Sequence, residues 1–91
     1  MQRHFTIILL TIYEKKIMEL KEFIEKFAEA IEVEDVDTLS PETEFRQIEE
    51  WSSLSVMLVI AFFDEEFDKQ VSDKEIRQAH TIQDLYYLAT A

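Results

Sequence analysis

The sequence contains no cysteine and no glycine, and it has a single proline in 91 residues. Without cysteine the chain has no disulfide framework, no zinc–thiolate site and no thiol catalysis. Without glycine it lacks the loops that need positive φ or a close backbone approach to phosphate, which excludes Walker and dinucleotide-binding fingerprints. A chain this poor in glycine and proline favours helices over tight-turned sheets, so the predicted class is all-α.

Basic residues are also scarce, because nine lysines and arginines face 20 acids and leave a formal net charge of −11. Such a surface repels nucleic-acid phosphates and anionic membranes, so neither is an expected partner. The charge would attract basic patches on other proteins, or it would serve solubility alone. The acids show no paired catalytic geometry in the sequence, and we predict that the chain is not an enzyme.

The first 17 residues differ in character from the rest of the chain. Residues 5–13 are apolar and β-branched, but this run is too short to span a membrane, and no small-residue cleavage site follows it. Met18 stands where an amphipathic helix begins. We therefore interpret residues 1–17 as an upstream extension or a misassigned start. Residues 18–91 are expected to form one cytoplasmic, monomeric domain with no membrane insertion.

The first helix is predicted over residues 19–32, where apolar residues recur at helical spacing. Its continuous apolar face consists of Leu20, Phe23, Ile24, Phe27, Ala28 and Ile31. A long polar loop follows this helix. Phe45, Ile48 and Trp51 are expected to pin that loop to the core.

The second helix is predicted to begin at Ser52 or Ser53 and to end near Asp68. Phe67 is the one apolar residue in the acidic last turn, so it should face the core. Residues three or four positions apart, counted back from it, give the expected core face: Phe67, Phe63, Ile60, Val59 and Val56. A second set, the apolar stripe, consists of Leu54, Met57, Leu58 and Ala61. A helix with two apolar faces is deeply buried or uses one face for a partner, and deep burial is hard to arrange in so small a chain.

Two short helices complete the predicted architecture. Residues 72–75, Ser-Asp-Lys-Glu, have the pattern of a capping box, and Ile76 should then point inward. Thr81 is expected to provide a weaker cap for the last helix. The core residues expected in that helix are Ile82, Leu85 and Leu88. A four-helix bundle with a long loop between its first and second helices would bury these stripes.

Two segments of the chain resemble a known family. Residues 45–54, Phe-Arg-Gln-Ile-Glu-Glu-Trp-Ser-Ser-Leu, and residues 63–68, Phe-Asp-Glu-Glu-Phe-Asp, resemble acyl carrier proteins. The resemblance covers residues 19–90 in helix order, loop length and acidity. It implies a four-helix bundle whose second helix starts at a serine that takes phosphopantetheine from coenzyme A. The thiol of that arm would hold acyl groups as thioesters.

Matched by position, Leu54 corresponds to the leucine of the family's Asp-Ser-Leu motif, and Ser53 corresponds to the attachment serine. The resemblance implies a phosphopantetheinyl transferase, and acyl-loading and acyl-transferring enzymes, as partners. Ser52 replaces the motif aspartate, which helps to engage the transferase in the family, and Trp51 makes the chain similar to a recognisable variant. A serine at a helix N-terminus also suits a phosphodiester on physical grounds. The alternative is that Ser53 is only a helix cap.

The partner surface is expected to differ from that of the family. Carrier proteins commonly present acids on the front of the second helix, whereas this chain presents the apolar stripe. We expect a partner to recognise the stripe together with an acidic rim, which consists of Glu49, Glu50, Asp64 and Glu65. An enzyme of a specialised lipid, polyketide or polysaccharide-modifying pathway would suit such a surface.

Three alternatives remain open. Met57 and Ala61 could pack on the first helix or on the extension. The domain could instead be an unmodified acidic adaptor that binds a protein partner through the apolar stripe. An EF-hand-like register contains Asp64, Glu66, Asp68, Ser72 and Glu75. Its sixth position needs glycine but is Lys69, so no metal site is predicted.

Overall fold

The structure is a computed structural model, and it describes residues 18–91. Within these residues there are four α-helices and no β-strand, which confirms the predicted all-α class. The helices are α1 (Leu20–Ala30), α2 (Ser55–Phe67), α3 (Asp73–Gln78) and α4 (Ile82–Thr90). Two 3₁₀ turns, Val36–Thr38 and Phe45–Gln47, lie in the connection between α1 and α2. The predicted extension, residues 1–17, lies outside the described residues.

Helix α1 forms because its apolar residues fall on one face, and that face is the predicted one. Phe23, Ile24, Phe27 and Ala28 are buried. Phe23 lies at the centre of the aromatic core, where its ring centroid is 5.5 Å from that of Phe62 and 5.3 Å from that of Tyr86. The helix therefore carries one side of the hydrophobic core.

The end of α1 falls before the predicted end at residue 32. Ile31 is the capping residue, and Glu32 has a left-handed backbone with φ of 61°. This turn lets the backbone N–H of Val33 donate to the carbonyl oxygen of Ala28 at 2.8 Å. The left-handed position usually goes to glycine, and this chain fills it with a glutamate.

Helix α2 packs on α1 through the predicted core face and one further residue. Val59 and Phe63 are fully buried, whereas Val56, Ile60 and Phe67 are partly buried against the core. Phe62 is also buried, although it lies outside the predicted face. The helix ends at Asp68, which has a left-handed backbone with φ of 51°.

The predicted start of α2 is wrong, because the helix begins at Ser55 and not at Ser52 or Ser53. Leu54 holds the capping position and provides no side-chain cap. The backbone N–H of Ser55 donates to the carbonyl oxygen of Ser52 at 3.0 Å, so the residues before the helix form a turn. Serine is a preferred residue at the N-terminal cap of a helix, so the residue types alone predicted a start at Ser52 or Ser53.

The connection between α1 and α2 is fixed to the core and to the corner between α3 and α4. Phe45 is fully buried and contacts the edge of Trp51, with ring centroids 5.0 Å apart. Ile48 and Trp51 are partly buried, as predicted. Glu44 also forms an isolated antiparallel bridge with Thr81, which the sequence did not predict.

Arg46 joins this connection to the end of α3. Its guanidinium donates to the carbonyl oxygens of Ala79 at 2.7 Å and Ile76 at 2.9 Å. The same group lies 4.5 Å above the centroid of the Phe45 ring. The last carbonyls of a helix lack partners within the helix, so Arg46 supplies a cap from a distant part of the chain.

Both short helices begin with capping boxes. Ser72 and Glu75 form the predicted box at α3, and Ile76 behind it is fully buried. The cap of α4 is stronger than predicted, because Thr81 and Asp84 form a complete box. Ile82 and Leu85 are fully buried as expected, and Leu88 is partly buried.

Candidate functional site

Ser53 lies on the turn between Trp51 and the start of α2, and its side chain is exposed. The alternative that Ser53 is only a helix cap is wrong, because within residues 18–91 the Ser53 hydroxyl forms no hydrogen bond and α2 has no side-chain cap.

The two neighbouring serines stabilise the turn instead. Ser55 is 1% exposed, and its Oγ accepts a hydrogen bond from the backbone N–H of Ser52 at 2.8 Å. The Oγ of Ser52 accepts from the backbone N–H of Leu54 at 3.3 Å, and the Oγ atoms of Ser52 and Ser55 lie 3.5 Å apart. Ser52 and Ser55 hold the backbone while Ser53 projects outward.

The first turn of α2 carries partial positive charge from its backbone. It contains no acidic side chain. The backbone N–H groups of Val56 and Met57 form no hydrogen bond with the turn before the helix. Unpaired amides at a helix N-terminus favour an adjacent anion, which fits a phosphate ester on a nearby hydroxyl.

The apolar stripe is exposed along α2. Leu54 is 65% exposed, Met57 is 66% exposed and Leu58 is 40% exposed, while Ala61 is also classed as exposed. The alternative that Met57 and Ala61 pack on the first helix is therefore wrong. The other alternative, in which Met57 and Ala61 pack on residues 1–17, involves residues outside those that the structure describes. Ser53 and Leu54, the first residue of the stripe, lie just before the start of α2. Asp64 and Glu65 lie near its end.

A groove of about 300 Å³ runs between α1 and α2 beside the stripe. We call it the α1–α2 groove. Its apolar lining consists of Ala30, Leu58, Ala61 and Phe62, and its charged lining consists of Lys26, Glu29, Glu65 and Glu66. Sequence analysis missed the contribution of Ala30 and Phe62, because only the packing of α1 on α2 brings them together.

An open cleft of about 520 Å³ lies within the connection between α1 and α2. Six carboxylates line it: Glu34, Asp35, Glu42, Glu44, Glu49 and Glu50. The Oε2 atom of Glu50 accepts a hydrogen bond from the backbone N–H of Glu34 at 3.1 Å, which ties the two ends of this cleft together. The rim residues Glu49 and Glu50 therefore line this acidic cleft, three or four positions before Ser53.

The described residues contain neither a metal cluster nor a spanning helix. In residues 18–91, no three His, Asp or Glu side chains converge as metal ligands, and the residues of the EF-hand-like register do not form such a group. No helix in the same residues is both long and apolar enough to cross a bilayer.

Compared with models of protein families, with curated proteins and with solved structures, the chain gave no match in any of the three.

Proposed function

We propose that this chain is an acyl carrier protein that holds acyl groups on a phosphopantetheine arm attached to Ser53. The observation that carries the proposal is the exposed hydroxyl of Ser53 on the turn that leads into α2, which forms no hydrogen bond with residues 18–91. A helix-capping hydroxyl would be bonded to the backbone, whereas here the Oγ atoms of Ser52 and Ser55 accept hydrogen bonds from the backbone of the turn before α2. The resemblance of residues 45–54 and 63–68 to the family supports the same serine.

The roles proposed for the residues of the chain follow from their positions. Ser53 supplies the oxygen of the phosphodiester, and the unpaired amides at the start of α2 lie where they would stabilise its negative charge. The arm, when bound, supplies the thiol that a chain without cysteine lacks. The acyl-carrier type of four-helix bundle would keep this end of α2 rigid while partner enzymes perform the reactions.

The partner-binding residues proposed here are Leu54, Met57, Leu58 and Ala61, with Glu50, Asp64 and Glu65 at the rim. The exposure of this apolar surface next to Ser53 supports the assignment, because a carrier must present the base of its arm to several enzymes. We also propose that those enzymes belong to a specialised lipid, polyketide or polysaccharide-modifying pathway, since the approach to Ser53 is apolar.

The test is the intact mass of the protein after incubation with coenzyme A and phosphopantetheinyl transferases, including one from the native source. The expected result is a gain of one phosphopantetheine on the wild type and on Ser52→Ala, and no gain on Ser53→Ala. Ser52→Ala is the matched control because it removes the neighbouring hydroxyl. No gain with any transferase, or a gain that survives Ser53→Ala, would contradict the proposal.

A second candidate is an unmodified acidic adaptor. The observation that favours it is the exposure of Leu54 and Met57, large apolar side chains that are costly to leave in water without a partner. An adaptor would bind its partner equally well as wild type and as Ser53→Ala. A carrier would transfer acyl groups only with Ser53 intact, so the same pair of proteins separates the two functions.

A further inference from the structure

Ser55 is the one buried polar or charged side chain of residues 18–91, with 1% of its surface exposed. It begins α2 and shares the buried face of that helix with Val59 and Phe63. Alanine would suit this place better by helix propensity alone, and a buried hydroxyl costs stability unless it is hydrogen-bonded. The reason for a serine here must therefore be the hydrogen bond that its hydroxyl makes.

Two hydrogen bonds join Ser55 to Ser52 across the turn. The Ser55 Oγ accepts from the backbone N–H of Ser52 at 2.8 Å, and the backbone N–H of Ser55 donates to the carbonyl oxygen of Ser52 at 3.0 Å. Ser53 and Leu54 lie between the two bonded residues, and both are exposed. Ser55 thus fixes, from the core, the short stretch of backbone that carries Ser53.

The backbone just before this turn is also anchored to the core. The N–H of Trp51 donates to the carbonyl oxygen of Ile48 at 2.9 Å, and the Trp51 ring packs against the fully buried Phe45. Residues 52–54 are therefore held at both ends, by Trp51 on one side and by Ser55 on the other. Of these two anchors, Ser55 is the one that hydrogen-bonds a neighbour of Ser53.

We propose that Ser55 is a positioning residue for the loading of Ser53, and this inference rests on the proposed function. In the loading reaction the Ser53 oxygen bonds to the phosphorus that carries pantetheine in coenzyme A. The bond from that phosphorus to the oxygen of the adenosine bisphosphate breaks, and the hydroxyl proton passes to a base of the transferase. A nucleophile that is already held in place reacts faster, because less freedom is lost at the transition state.

Other roles fit Ser55 less well. Its hydroxyl is too deeply buried to reach coenzyme A, so Ser55 is not a second attachment site. A purely stabilising role is weak, because Ser52 is exposed and its N–H could bond to water instead. What the bond between Ser55 and Ser52 controls is the course of the backbone at Ser53.

The test is the steady-state rate of loading by a phosphopantetheinyl transferase, followed by intact mass. Ser55→Ala should lower kcat about tenfold or more and leave KM for the carrier within about twofold. The reason is that the bond matters at the transition state, whereas the exposed surface of the carrier is unchanged. Ser55→Thr keeps the oxygen and should recover most of the loss.

Ser72→Ala is the matched control for stability. It removes a serine hydroxyl that accepts from the backbone N–H of Glu75 on another helix, α3. It should lower Tm, because α3 loses its cap, yet keep kcat within about twofold. A fall in kcat that came from instability alone would appear in both alanine variants.

Amide hydrogen exchange on the unloaded proteins measures the anchor without any transferase. The N–H of Ser52 should be protected in the wild type and should exchange about tenfold faster or more in Ser55→Ala. Its exchange should be unchanged in Ser72→Ala. The NMR order parameter of Ser53 should fall in Ser55→Ala alone.

Loading of Ser55→Ala at the wild-type kcat would overturn the inference, as would an unprotected Ser52 N–H in the wild type. An equal loss of kcat in Ser72→Ala would assign the effect to stability and contradict it too. So would a Ser55→Thr variant that protects Ser52 but loads as slowly as Ser55→Ala. A wild type that loads no faster than Ser55→Ala contradicts only this inference, whereas a wild type that no transferase loads contradicts the carrier function.

Discussion

The serines at positions 52, 53 and 55 occupy three different environments within one turn. Ser55 is buried and bonded, Ser52 is exposed and bonded, and Ser53 is exposed and unbonded among the described residues. The resemblance to acyl carrier proteins singled out Ser53, because Leu54 matches the leucine of the family's motif. It could not show which hydroxyl is free, because that depends on the backbone of the turn and on the burial of Ser55.

Two residues, Glu32 and Asp68, adopt left-handed backbones at the ends of α1 and α2. This conformation costs an L-residue about 1–2 kcal/mol, and glycine avoids most of that cost. We expect Glu32→Gly and Asp68→Gly each to raise the free energy of unfolding by about 1 kcal/mol, after the greater entropy of glycine in the unfolded chain is subtracted. Urea denaturation measures the change.

Glu25→Gly is the matched control for these two variants. Glu25 is exposed in the middle of α1, where a glycine should lower the free energy of unfolding by about 1 kcal/mol. If all three variants were destabilised alike, the left-handed positions would not be a source of strain in this chain.

At the scale of the elements, the capping boxes of α3 and α4 each end in a carboxylate. Hydrogen bonds from the backbone N–H and hydroxyl of Ser72 lower the pKa of Glu75. Hydrogen bonds from the backbone N–H groups of Thr81 and His80 lower the pKa of Asp84. The two helices have only 6 and 9 residues, so their caps matter for the corner that Arg46 bonds.

Each lowered pKa predicts how stability changes with pH. A carboxyl with a lower pKa in the folded state contributes fully above its unfolded pKa of about 4, and its contribution disappears as pH falls through the folded value. At pH 7 we expect the wild type to have a higher Tm than the double variant Glu75→Gln/Asp84→Asn. This difference in Tm should decrease as pH falls from about 5 to 3.

Circular dichroism at a series of pH values measures this difference in Tm. Glu42→Gln is the control, because Glu42 is exposed and lies outside both boxes. A lead of the wild type that stayed constant down to pH 3 would contradict the role of the two carboxylates.

Helix α2 shows where prediction from sequence succeeds and where it stops. Periodicity placed Val59 and Phe63 in the core, because their positions follow from helix geometry, whereas it left open whether the apolar stripe is exposed. It did not place Phe62, whose burial depends on the ring of Phe23 on another helix. The α1–α2 groove likewise results from packing between helices, which residue spacing within one helix does not encode.

At the scale of the whole molecule, charge repulsion opposes folding. The chain has a net charge of −11, and only two ion pairs join the side chains of residues 18–91: Lys26 with Glu66 and Asp73 with Arg77. Salt would weaken few attractions and many repulsions.

We therefore expect Tm to rise by about 4–8 °C when sodium chloride increases from a few millimolar to about 0.15 M, which corresponds to about 1 kcal/mol for a domain of this size. Differential scanning calorimetry measures the shift. Chloride is used because sulfate and sucrose also strengthen apolar burial, and potassium chloride at the same ionic strength should give the same rise in Tm. A fall in Tm with added chloride would show that the ion pairs outweigh the repulsion.

Four helices, their core faces and the capping residues Ser72 and Thr81 were predictable, because these depend on neighbours in the sequence. The contacts between residues that are distant in the sequence were not predictable. The bridge between Glu44 and Thr81, and the hydrogen bond from the Tyr86 hydroxyl to the carbonyl oxygen of Met18, each join distant positions. Nothing in the local pattern of Tyr86 distinguishes it from Tyr87, which is exposed.

The hydrogen bonds of Arg46 also have a consequence for the order of folding. They join positions 33 and 30 residues apart, and their acceptors exist only once α3 has formed its last turn. Closing loops of this length costs entropy before the contacts repay it, so we expect these hydrogen bonds to form after the rate-limiting barrier. Arg46→Ala should then accelerate unfolding about tenfold or more while leaving the refolding rate nearly unchanged, as for a contact with a low φ-value.

Stopped-flow measurements in urea separate the two rates. Arg46→Lys keeps the charge but cannot bond both carbonyls in a fork, so its unfolding rate should lie between those of the wild type and Arg46→Ala. A variant that slowed refolding instead would place the closure of this loop before the barrier. If refolding is unchanged and unfolding is faster, the connection between α1 and α2 docks after the folding barrier. The lifetime of the folded chain then depends on the guanidinium of Arg46.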